Sequence, residues 1–425
     1  MHAPYKLEYL KPRLHSSDFA RTDLLVRRST DEGQTFSPFQ LLANPGSGPH
    51  SLGVCGNPLV VGNAAPVQLP ADSPYYPGRI LVPHMHNNYE VFQVHSDDDG
   101  LTWSPPRPLP NLTIKAPEGP DCYRNLSYFG IGDNTSYLQW LEEVIWDTKD
   151  PYQQWRDKLT GPWQFVGTGP PGSIVTKRGA RKGRVLVPAY HSYIRGRDSA
   201  TAGAGVGLPI SQLYNNFALG HILVSDDGGD TYTLSASRLG ALHGANEAQL
   251  VELRNGSILV NSRSFSTGTP QYRVQAMSHD QGITFTPTQF VRDLAEPFSG
   301  CEGSVVASPD GTRIYYAHTN ALPNRGIAPW VVKALGGKVN LTGRDHMTVW
   351  ESVDQGRSYR VLRVLDEGPS GYVSMQVTAS TLYVLYEQSD QEAQTLSELG
   401  IEALIGHLTV MDPDRLVLRV IDLPT

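Results

Sequence analysis

The sequence predicts an all-β fold of about six four-stranded units arranged as a β-propeller. Three observations carry this: one turn phrase recurs five times, its copies stand at related intervals, and the composition suits short strands joined by turns. The phrase is S-x-D-x-G-x-[TS]-[FWY]. It reads "STDEGQTF" (29–36), "SDDDGLTW" (96–103), "SDDGGDTY" (225–232), "SHDQGITF" (278–285) and "SVDQGRSY" (352–359). Five copies sharing four positions mark a repeat architecture.

Successive copies start 67, 129, 53 and 74 residues apart. The interval of 129 is about twice the others, so it hides a unit that has lost its phrase. The composition agrees. Of 425 residues 41 are Gly, 32 Pro and 20 Tyr, against 6 Met, which favours turns between strands. Each copy reads as a stapled hairpin turn. Asp and Ser side chains bond nearby backbone groups, glycine supplies a positive φ, and the aromatic anchors the turn below. A calcium loop is the rival reading of "SDDDG", but it lacks the alternating acids and the later glutamate of that design. No metal site is therefore expected.

Apolar runs flank the copies, as in "DLLVRRS" and "HILVS", and strand phrases recur in "GRILVPHMH" (78–86) and "GRVLVPAYH" (183–191). The stretch "TSYLQWLEEVIWDTKDPYQQWRDKL" (135–159) breaks the β pattern and reads as an insertion, with a short helix after Asn134. No linker divides the chain. One domain over residues 1–425 is expected, with an insertion at about 113–165.

Charge and motifs exclude several functions. A net charge of −7 argues against a nucleic-acid partner, and the basic run "TKRGARKGR" (176–184) between two strand-like runs reads as a solvated hairpin loop. Cys55, Cys122 and Cys301 are too scattered for a disulfide framework or a zinc site. No run reaches the ~18 apolar residues of a membrane span. The N-terminus has no apolar signal core, so Met1 taken as the start implies a cytoplasmic protein. Five sequons, at Asn111, Asn125, Asn134, Asn255 and Asn340, point instead to a secretory or lysosomal route. Serine-hydrolase, zincin and P-loop phrases are absent.

A second set of phrases resembles the sialidase (neuraminidase) family, whose propellers carry such turns under the name Asp boxes. "GANEAQLVELRNGSILVNSR" (244–263) is similar to the stretch in which a Glu precedes a strand ending in N-x-R. "GPSGYVSM" (368–375) resembles the segment of the nucleophilic tyrosine, and "LYVLYE" (382–387) the strand and terminal Glu after it. "HSSDFARTDLLVRRSTDEG" (15–33) resembles the segment with an acid/base Asp before the first box. "GRDHMTVWESVDQG" (343–356) resembles the strand of the last binding arginine. Several phrases look closest to the animal lysosomal branch, and bacterial enzymes share them.

The resemblance implies a six-bladed propeller with Tyr372 as nucleophile, Glu247 as its base and Asp18 as acid/base. It implies that Arg263 and Arg344 bind the substrate carboxylate, and that Glu387 orients a further arginine. No cofactor is implied, and the partner is a sialylated glycan; the phrases say nothing of a protein partner. Each residue has a plainer reading too. Tyr372 can anchor a turn, Glu247 can stand on a loop, the arginines can end strands at the surface, and Asp18 can cap a turn. His191 and Trp163 are weaker candidates for lining a pocket, with core packing the plainer role for Trp163.

One element breaks the pattern. The family's first arginine, in an R-I-P phrase upstream of the acid/base Asp, has no room here, and neither Arg13 nor Arg21 matches that motif. The usual N-terminal first strand is likewise expected to be missing. Either the chain begins late, or it is a sialidase-like propeller that binds carbohydrate without turnover. A retaining exo-α-sialidase is the first expectation, the silent binder the second, and transfer to a sugar acceptor a third.

Overall fold

The repeated phrase folds into one recurring turn. In the computed structural model of the chain, Ser29 Oγ donates to Asp31 Oδ1 at 2.7 Å and accepts from the Gly33 amide at 2.8 Å. Asp31 also takes the Thr35 amide at 2.8 Å and the Thr35 hydroxyl at 2.5 Å. The same four bonds recur over residues 96–102, 225–231, 278–284 and 352–358. The acids are engaged by their own turns, satisfying amides that leave the strand ladder.

The structure describes residues 5–8, 22–44, 60–86, 90–109, 165–192, 218–235, 245–264, 272–297, 300–320, 344–389 and 415–423. The expected insertion, with its helix after Asn134, lies outside these residues except for Phe165. Every described element is a strand, and among the described residues no helix is long and apolar enough to cross a membrane.

The described strands form six antiparallel sheets. One runs in chain order through Ala245–Glu252, Ile258–Ser264, Tyr272–Ser278 and Gln289–Ala295. The next does the same through Ser304–Ala307, Ile314–Thr319, Met347–Ser352 and Arg360–Val364. Two five-stranded sheets are centred on the pairs Ile80–His86 with Glu90–Ser96 and Val185–Ser192 with Ala218–Ser225. A two-stranded sheet joins Leu24–Val26 to Gln40–Ala43. The last sheet orders Ser370–Val377, Thr381–Gln388 and Arg415–Asp422, with Tyr5–Glu8 at its outer edge. The sequence reading places no strand at 5–8. By pairing with Arg415–Asp422, these residues tie the N-terminal stretch into the sheet that holds the last strand.

The cores lie between sheets. Leu81 and Val67 pack with Val185 and Leu223, Leu186 and Ile222 with Leu250 and Val260, and Leu259 with Tyr316 and Trp350. Val349 then packs with Val373, Val384 and Val417, and Leu42 with Val82 and Val94. The turn glycines show why neighbours fit. A β-carbon on Gly229, Gly282 or Gly356 would fall within 2.7 Å of Leu81, Leu186 or Leu259 in the preceding sheet. Gly33 has the same relation to Leu418, which carries the circuit from the last sheet to the two-stranded one.

The inner strands are laced as well. Ser173 Oγ donates to Ala65 O at 2.8 Å, the Ala248 amide to Gly169 O at 3.3 Å, and the Val305 amide to Gln249 Oε1 at 2.6 Å. The Met375 amide donates to Ser304 Oγ at 2.9 Å. Sheets packed face to face around a circuit, each led by an inner strand, make a β-propeller.

The basic run at 176–184 is a hairpin connection between Ile174–Val175 and Val185–Ser192, but it is not wholly solvated. Arg184 is buried, forking onto Asp226 at 2.8 Å through two nitrogens and donating to Gln281 O at 3.0 Å. It clamps the next turn.

Candidate active site

Two β-bulges aim the side chains of the site. Between Ala245 and Ala248, Asn246 and Glu247 together face the single residue Arg263, because Ala245 pairs with Ser264 and Ala248 with Ser262. In the last sheet, Ser370 pairs with Gln388 and Val373 with Tyr386, so Gly371 and Tyr372 together face Glu387. An extra residue turns the strand locally and re-aims what it carries. Each bulge lies at the start of an inner strand, where the two strands converge.

Here Glu247, Arg263 and Tyr372 meet. The Tyr372 hydroxyl donates to Glu247 Oε1, and Arg263 Nη1 donates to Glu247 Oε2 at 2.6 Å and to the Tyr372 oxygen at 3.0 Å. Glu247 and Arg263 are buried, while Tyr372 is half-buried. Burial alone would lower the Arg263 pKa, but Glu247 and then Tyr372 outweigh it and hold the guanidinium charged. A phenol thus has a carboxylate ready for its proton and a cation beside its oxygen.

Arg344 and Glu387 stand next to this group. The Arg344 guanidinium lies 5.6 Å from the centre of the Tyr372 ring and donates through Nη2 to Gly300 O at 3.2 Å. Gly300 has φ +70°, and a β-carbon there would sit 2.9 Å from Arg263 Cγ, so only glycine lets the loop pass between the two arginines. Glu387 Oε2 accepts the Tyr372 amide at 3.0 Å. Burial pushes its carboxyl above the usual range, against the Tyr372 amide and Arg344. Of the six residues singled out by resemblance, five gather here; Asp18 lies outside the described residues, as does Trp163. His191 stands on Val185–Ser192 with Leu219 and Val166 as backbone partners.

The sequence reading misses a buried layer behind the tyrosine. Glu302 Oε2 accepts the Val373 amide at 2.8 Å, and burial pushes its carboxyl well above the ordinary value. Arg273, fully buried, donates to Glu296 Oε1 at 3.1 Å and to Cys301 O at 2.7 Å. Burial would raise the Glu296 carboxyl, but Arg273 and His318 bring it down. The Cys301 thiol is pushed up to about 12 by burial, which leaves it inert. The one signal for this layer is "GCEGS", an acid among small residues just before an apolar strand. Among the described residues no three His, Cys, Asp or Glu side chains gather as a metal site.

The family model described as a BNR repeat-like domain matches residues 154–384. The chain belongs to this family. Its relatives are sialidases: it is 25% identical over 366 residues to the sialidase of Micromonospora viridifaciens, covering 86% of this chain and 44% of that one. It is 26% identical over 262 residues to sialidase-2 of Rattus norvegicus, covering 59% and 52%. The chain thus spans about half the length of the curated relatives it matches.

Solved structures agree in fold. The Trypanosoma rangeli sialidase in complex with sialic acid gives a TM-score of 0.53 at 16% identity, over 95% of this chain and 50% of that one. A Hadza microbial sialidase gives 0.52 at 20% identity, over 88% and 58%.

Proposed function

We propose that the chain is a retaining exo-α-sialidase, hydrolysing terminal sialic acids from glycoproteins, glycolipids or oligosaccharides. The observation that carries this is the Tyr372–Glu247–Arg263 cluster, in which the phenol donates to the carboxylate and accepts from the guanidinium. The sialidase relatives support the substrate class.

The chemistry follows from the sugar. Sialic acid carries a carboxylate on its anomeric carbon, which would repel an Asp or Glu nucleophile. A neutral phenol avoids the repulsion, but with a pKa near ~10 it needs a base. Glu247 takes the proton as the Tyr372 oxygen attacks the anomeric carbon and the glycosidic bond breaks. A covalent aryl glycoside of Tyr372 is then hydrolysed, giving net retention; tyrosine nucleophiles are the recognised exception to the two-carboxylate scheme. Arg263 and Arg344 offer planar, permanently charged donors to the substrate carboxylate. Asp18 is assigned, by resemblance only, as the acid that protonates the leaving oxygen and then the base that activates water.

We further propose a single domain with six blades. The repeated turn joins the third and fourth strands of the four-stranded sheets at 278–285 and 352–359, and the same phrase joins Leu24–Val26 to Gln40–Ala43. That relation supports reading the two-stranded sheet as the outer half of a sixth blade. The secretory or lysosomal route remains the assignment the sequons favour.

The test is release of a fluorescent aglycone from an α-sialoside by this chain, beside Tyr372→Phe. Turnover abolished in a folded Phe variant is expected. Equal turnover in both would exclude the tyrosine as nucleophile, and sialoside binding without any turnover would make the chain a carbohydrate-binding propeller.

A further inference from the structure

We infer that His84 and His86 form a two-histidine binding site for a divalent transition-metal ion. Both stand on the strand Ile80–His86, two residues apart, so their side chains leave the same face. Their Nε2 atoms face each other at 3.1 Å. Nitrogens bound to one ion at about 2.0–2.1 Å lie about 2.9 Å apart at a right angle and about 3.3 Å apart in a tetrahedron. The observed separation falls between these, so one ion can join both rings with little movement.

The surroundings prepare the rings for this. His84 is fully buried, and its Nδ1 stands 3.0 Å from Val82 O. That carbonyl accepts only from a protonated Nδ1, which fixes the tautomer with the Nε2 lone pair turned toward His86. A ring N–H held by a carbonyl is the usual outer support of a ligating histidine. His86 is held too, stacked on Phe92 with centroids 4.0 Å apart and planes 16° apart. His86 is half-buried.

Without metal the two rings share one proton, His86 Nε2–H donating to His84 Nε2. Binding moves that proton to His86 Nδ1 and leaves both Nε2 lone pairs on the ion, with no net proton release. Two protein ligands leave open positions for water or an anionic ligand, as at an exchangeable rather than a closed structural site. The inference does not depend on the proposed hydrolysis.

Zinc chloride titrated into the full chain by calorimetry is the test, beside His86→Gln and, as a control at a distant histidine beside Ser257, His279→Gln, each checked by circular dichroism. One equivalent of Zn²⁺ should bind to the native chain and to His279→Gln, with affinity at least about 10-fold weaker in His86→Gln. Copper(II) added instead should show a paramagnetic resonance spectrum with nitrogen coupling from two imidazoles. No binding to the native chain, equal binding in His86→Gln, or equal loss in His279→Gln would each overturn the site.

Discussion

Glu247 and Arg263 face each other across a bulge and are joined at 2.6 Å, both nearly sealed from solvent. A buried ion pair is costly to break, because the remaining charge has lost both water and partner. Glu247→Ala should therefore destabilise the fold by roughly 3–5 kcal/mol in urea unfolding, through the stranded Arg263. Glu247→Gln keeps the shape but not the base. It should lower sialoside turnover by about 10²–10⁴-fold with a smaller loss of stability.

Glu302 makes stability depend on pH. Burial raises its folded pKa above the unfolded 4.5, so its favourable contribution is present at low pH and is lost as pH rises. Glu302→Gln keeps a neutral group of the same shape beside the Val373 amide. The variant should gain stability relative to the native chain as pH rises above about 4.5, measured by melting temperature at pH 4 and pH 7. A constant offset across that range would show that the carboxyl is not held neutral.

The turn aspartates set an acid limit. Asp31 and Asp98 are lowered from 3.8 to about 2, chiefly by the hydroxyls of Thr35 and Thr102 and then by their amides. Their contribution is complete above the unfolded value of 3.8 and disappears as pH falls through about 2. Melting temperature should fall steeply between these values, and Asp98→Asn should make the fall shallower while lowering the plateau above it.

Two glycines of the same phrase should differ. Gly100 has φ +78°, and a β-carbon there would meet only its own Trp103, at 3.4 Å. Gly282 has φ +92°, and a β-carbon would meet Leu186 of the neighbouring sheet at 2.7 Å. Gly100→Ala should cost about 1–2 kcal/mol of backbone strain, and Gly282→Ala about 1–3 kcal/mol more from overpacking, read from urea midpoints. Equal costs would mean that the sheets part easily at that contact.

The sequence by itself determined the repeat, and with it the β class, because each turn is closed by side chains a few residues apart and needs nothing distant. By resemblance it also singled out residues that gather at the candidate site, Glu247 and Arg263 on adjacent strands and Tyr372 and Glu387 on another such pair. What it did not determine is how those pairs meet. Tyr372 reaches Glu247 across 125 residues of chain, through two bulges that no local pattern announces. The buried layer of Arg273, Glu296 and Glu302 was hidden for the same reason: charged residues read as surface until a partner from another strand is known. Leu418 against Gly33, and Tyr5–Glu8 beside Arg415–Asp422, were likewise settled only by closure of the ring. Local hydrogen bonds write themselves into short phrases, whereas burial and charge pairing are properties of neighbours that only the fold supplies.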